Sequence, residues 1–132
     1  MRRLLVLSLS LWACDDRKPQ APAQAAAPLA APTKSAVDAF HDVLAPVWHT
    51  DDQPQQTEKA CAALPDFRAQ VTRLVTEAPP PSATPAFGPQ TRELERAVTS
   101  LEAACANDRP AVTSALTSVH ERFHAVSKCT GR

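Results

Sequence analysis

From residue 35 onward, apolar side chains recur at steps of three and four. Val37, Phe40, Leu44 and Val47 form one series; Leu64, Phe67, Val71 and Leu74 a second; Leu94, Val98, Leu101 and Cys105 a third; Val112, Leu116, Val119, Phe123 and Val126 a fourth. Steps of this kind place each series on one face of a helix, so the pattern predicts four amphipathic helices. Breakers separate them: Thr50-Asp51-Asp52-Gln53-Pro54, then Pro79-Pro80-Pro81-Ser82, then Asn107-Asp108-Arg109-Pro110. Pro46 and Pro65 fall inside helical patterns, where a missing N–H and a ring clash predict a kink or a break. Short connections favour antiparallel neighbours. The expected fold is therefore all-α, an antiparallel up-down four-helix bundle over residues 35–132, with a proline-rich loop, 79–89, between the second and third helices.

Composition agrees with the pattern. Glycine occurs only at Gly88 and Gly131, tyrosine is absent and alanine is abundant, which favours helix over sheet.

The first 34 residues follow another rule. Residues 15–34, DDRKPQAPAQAAAPLAAPTK, place proline in every stretch long enough for a helix and supply almost nothing bulky to bury. This composition predicts a disordered tether, not a domain. Ahead of it, Arg2 and Arg3 precede a short apolar run, Leu4 to Trp12, and Ala13-Cys14 closes it. The run is too short for a membrane-spanning helix and reads as a secretory signal. Leu11-Trp12-Ala13-Cys14 resembles the lipobox of bacterial lipoproteins, departing from it in the bulk of Trp12. That resemblance implies cleavage after residue 13, acylation of Cys14 and anchorage of residues 14–34 to a membrane by several acyl chains. In enterobacterial-type sorting Asp15 would resemble an inner-membrane retention signal; which membrane is used stays open.

Loss of Arg2 and Arg3 lowers the basic side chains from 14 to 12 against 14 acidic ones, a net charge of −2. Nothing in that balance suggests a nucleic-acid partner, which would want a basic face.

With Cys14 assigned to lipid, Cys61, Cys105 and Cys129 remain, in what would be an oxidising compartment. In an up-down bundle Cys61, near the start of the second helix, and Cys105, near the end of the third, share one end. Cys129 closes the fourth helix at the other end, roughly 30 Å away by helical rise. The topology thus favours a Cys61–Cys105 disulfide and leaves Cys129 unpaired. Three small buried hydrophobes are the alternative.

His120-Glu121-Arg122-Phe123-His124 fits H-E-x-x-H, the pattern that many zinc proteases carry on a helix. A protease of that type needs a third ligand downstream, and residues 125–132 contain neither His nor Glu. Glu121 also points almost opposite to the apolar stripe, where no walled site surrounds a general base. No catalytic residue is expected.

The four histidines occupy two windows, His41 with His49 and His120 with His124. If the first and fourth helices are antiparallel neighbours, His41 lies level with His120 and within a turn of His124. Three imidazoles would then converge, with Asp38 or Asp42 as an oxygen ligand, a set suited to zinc, copper(II) or nickel. His49, about 12 Å further along, is expected outside the site. Asp38-x-x-His41 and Glu121-x-x-His124 have the spacing of ferritin-like di-iron motifs, but both carboxylates are placed outward. The bundle loosely resembles periplasmic cytochromes of the c′ and b562 class in shape, yet it lacks C-x-x-C-H, and its only methionine is Met1.

Two functions remain. One is a lipid-anchored helical module of the cell envelope that binds an envelope protein partner and performs no chemistry. The other is a periplasmic protein that binds or senses a divalent metal through histidines of its first and last helices.

Overall fold

A computed structural model describes residues 34–131 of the chain. The expected signal peptide (1–13), Cys14 and the tether through residue 33 lie outside the described residues. Those that are described form an all-α fold of five helices and one short 3-10 turn.

α1 (Ala36–Trp48) begins at Ser35, whose hydroxyl accepts from the Asp38 N–H at 3.2 Å and donates to the Asp38 carboxylate at 2.6 Å. The first contact satisfies an N–H that a helix start leaves unpaired. Val37, Phe40, Leu44 and Val47 are all buried, as their spacing requires. Pro46 lies in the last turn and the helix runs only two residues beyond it. The free Pro46 carbonyl accepts from Thr50 Oγ1 at 2.9 Å, and the His49 N–H closes the helix on Ala45 O and Val47 O.

The expected second helix is two helices. α2 (Gln53–Ala62) is capped by Asp52, whose carboxylate accepts from the Gln55 N–H at 3.0 Å, and it buries only Ala60. α3 (Leu64–Thr76) restarts after Ala63, which caps both. Pro65 is the cause: it has no N–H to donate to Cys61 O, and α2 closes with the Ala63 N–H donating to Lys59 O at 2.9 Å. α3 then buries Phe67, Val71 and Leu74.

α4 (Phe87–Asn107) is the longest helix and buries Leu94, Ala97, Val98, Leu101 and Ala104 along one face, with Phe87 and Thr91 nearer its start. Thr91 is buried without penalty because its hydroxyl donates to Gly88 O at 2.8 Å. Arg109–Ala111 forms a 3-10 turn where a bare tight turn was expected, and it leads directly into α5 (Val112–Lys128).

The core is continuous and apolar. α4 packs against α5 and α3, α1 against α3, and both α1 and α2 against α5. Phe40 stands at its centre, fully buried, with ring centroids 5.6 Å from Phe67 and 5.3 Å from Phe123. Cys61 of α2 and Cys105 of α4 are bridged, with Cα atoms 5.6 Å apart, and Cys129 is buried and free. Away from that bridge, the loop between α3 and α4 is fastened to the end of α5. Thr84 N–H donates to Cys129 O at 2.9 Å and Ser82 Oγ to Thr130 O at 3.2 Å. Gly131 closes the described chain at φ +75°, a value that favours glycine.

Candidate functional site

All four histidines line one cleft of about 190 Å³, together with Leu44, Ala45, Trp48 and Phe123. Two helices build it. α1 supplies His41, Leu44, Ala45 and Trp48, with His49 as its cap; α5 supplies His120, Phe123 and His124. Leu44 and Phe123 form its floor, because each belongs to a buried stripe. The imidazoles stand one step off those stripes and so reach the rim.

Trp48 organises the rim. Its indole stacks on the His120 ring with centroids 3.7 Å apart and planes 7° from parallel. His124, one helical turn beyond, meets His120 edge-on at 4.4 Å between centroids. Their Nε2 atoms are 3.1 Å apart. Two neutral imidazoles approach this closely by sharing one hydrogen bond, with one Nε2 protonated and the other accepting.

Electrostatics favour the neutral form of His120. Burial against Trp48 pulls the His120 pKa below its ordinary 6.5, and His124 and His49 pull it further by charge repulsion. The Glu121 carboxylate offsets part of this.

The expected donors are only partly brought together. His120 and His124 converge; His41 lies beside Phe123, with ring centroids 5.9 Å apart. Asp38 is engaged at the start of α1, and Asp42 forms an exposed ion pair with Lys34. His49 lines the cleft although it was placed outside it. Among the described residues, no group of three or more His, Cys, Asp or Glu side chains is gathered to hold a metal ion. The four-donor set His41, His120, His124 and Asp38 is therefore not assembled here. Glu121 is exposed.

Trp48 is the residue that pattern reading missed. It follows the last member of the first apolar series and stands four positions after Leu44, a helical-face signal that a search confined to metal donors passes over.

No protein-family model, curated protein or solved structure matches this chain. An indole stacked on an imidazole, beside a second imidazole and an apolar floor, offers a flat amphipathic surface with hydrogen-bonding nitrogens at one edge. Such a surface suits binding, since aromatic groups with polar edges supply contact area at low entropic cost.

Proposed function

We propose that this chain is a lipid-anchored protein of the bacterial cell envelope, facing the periplasm, with a binding role and no chemistry of its own. The cleft between α1 and α5 is its binding surface for an envelope protein partner. The observation that carries this reading is the Trp48–His120 stack, which holds an aromatic surface at the rim where it meets solvent. Anchorage rests on Leu11-Trp12-Ala13-Cys14 and the Ala/Pro-rich tether behind it. Among the described residues no helix is long and apolar enough to cross a membrane.

In this reading α2 and α3 act as one broken arm. The bundle is then up-down-up-down in four arms: α1, α2 with α3, α4 and α5. The Cys61–Cys105 bridge at one end, and the loop bonds to Cys129 O and Thr130 O at the other, support that order.

The test has two arms. Expressed from the full gene, the chain should fractionate with membranes and Cys14→Ser should release it; a soluble parent refutes the anchor. In intact cells, a photo-crosslinking residue at His41, Ala45 or His49 should trap a defined species, while one at Arg68 or Thr99 on α3 and α4 should not. Equal trapping from both sets, or none from the cleft, refutes the binding surface.

A further inference from the structure

We infer that the cleft takes one divalent late first-row transition-metal ion, copper(II) most tightly, between Nε2 of His120 and Nε2 of His124. Its remaining coordination positions stay open to the cleft.

The geometry of the pair carries this. Metal–imidazole bonds of about 2.0–2.1 Å place two nitrogens on one ion about 2.9 Å apart at a right angle and about 3.3 Å apart at the tetrahedral angle. The observed separation is 3.1 Å, between the two. The ion takes the place of the shared hydrogen: the ring that carried its proton on Nε2 shifts it to Nδ1, and both lone pairs turn to the metal. Little reorganisation is needed. Trp48 stacks flat on His120 and fixes that ring, while His124 is exposed and free to adjust by small rotations.

The kind of metal follows from the ligand count. A structural zinc site closes its coordination with four protein donors, and this cleft brings together two. A two-nitrogen chelate discriminates by intrinsic affinity, which rises through nickel to a maximum at copper(II) and drops at zinc. His41 and His49 line the same cleft but remain outside the pair, so the open positions face a pocket edged with further imidazoles. Copper binding rests on the cleft being the binding surface, and the two ideas fail separately.

The experiment uses the full chain carrying Trp12→Phe and Cys14→Ser, so that Trp48 is the sole indole and no N-terminal thiol competes for copper. Copper(II) chloride is titrated in a non-coordinating buffer, following Trp48 fluorescence and electron paramagnetic resonance. The expected result is quenching that saturates at one ion per chain, with nitrogen couplings from two imidazoles. Nickel and zinc should bind more weakly. His120→Ala and the surface variant His124→Ala should each weaken binding at least about tenfold, since each removes the intramolecular second ligand. His41→Ala should leave it within about twofold, because a side chain that is not a ligand contributes no chelation. Absence of saturable quenching overturns the inference, and so does a His41→Ala loss equal to that of His124→Ala. If copper is silent while crosslinks persist from the cleft, the metal inference alone falls. If copper binds through both histidines and crosslinks are absent, the metal stands and the protein-partner reading falls.

Discussion

Replacing Cys61 and Cys105 together by alanine removes a cross-link between residues 44 positions apart. Chain-entropy theory gives the size of the effect: closing a loop of that length in the unfolded chain costs about 4 kcal/mol at room temperature. Both cysteines are only half-buried, so losing their sulfurs opens little of the core, and the change reports mainly on the cross-link. For a domain of this size each kcal/mol shifts the melting temperature by at least about 4 °C, so the double variant should melt about 15–20 °C below the parent. The assay is the thermal loss of helical circular dichroism, with and without reductant. Reductant should bring the parent down to the double variant and leave the double variant unmoved. Cys129→Ala should respond to reductant as the parent does, because that buried thiol is free. A double variant melting within about 5 °C of the parent would refute the entropic reasoning. Loss of the reductant response in Cys129→Ala would show that the bridge uses Cys129 and that the helix order is wrong.

Two further outcomes follow from the packing and the cleft. Phe40→Ala should cost about 3–5 kcal/mol in urea unfolding, against less than about 1.5 kcal/mol for Phe40→Leu, because Phe40 is fully buried between Phe67 and Phe123; similar costs for the two would mean the site collapses freely. The lowered pKa of His120 means that, between that value and the ordinary 6.5, the unfolded chain binds more protons than the folded one. Metal-free stability should therefore fall as pH drops through about 6.5 and level off below the folded pKa, and His120→Gln should flatten this slope; an unchanged slope in the variant would assign the effect to other groups.

The secondary structure was legible from residue order because burial on one helical face leaves a periodic mark. Val37, Phe40, Leu44 and Val47 could be assigned to a core without a partner in view, and Val112, Leu116, Val119, Phe123 and Val126 likewise. Pro65 marked the break between α2 and α3 for a local reason, the absent N–H. The Cys61–Cys105 pairing was also within reach, since only the order and approximate length of the helices were needed.

The cleft was decided by tertiary packing. Helical rise placed His41 level with His120, but the residue that packs on His120 is Trp48, and His41 lies beside Phe123. Rise and rotation place a residue on its own helix; the crossing of α1 over α5 decides which side chains meet, and side-chain volumes on both helices set that crossing. Only the His120–His124 pair was determined by sequence alone. Residues four apart on one helix are neighbours whatever packs against them, so the two rings could be placed side by side for a local reason, whereas the indole stacked on one of them required the whole fold.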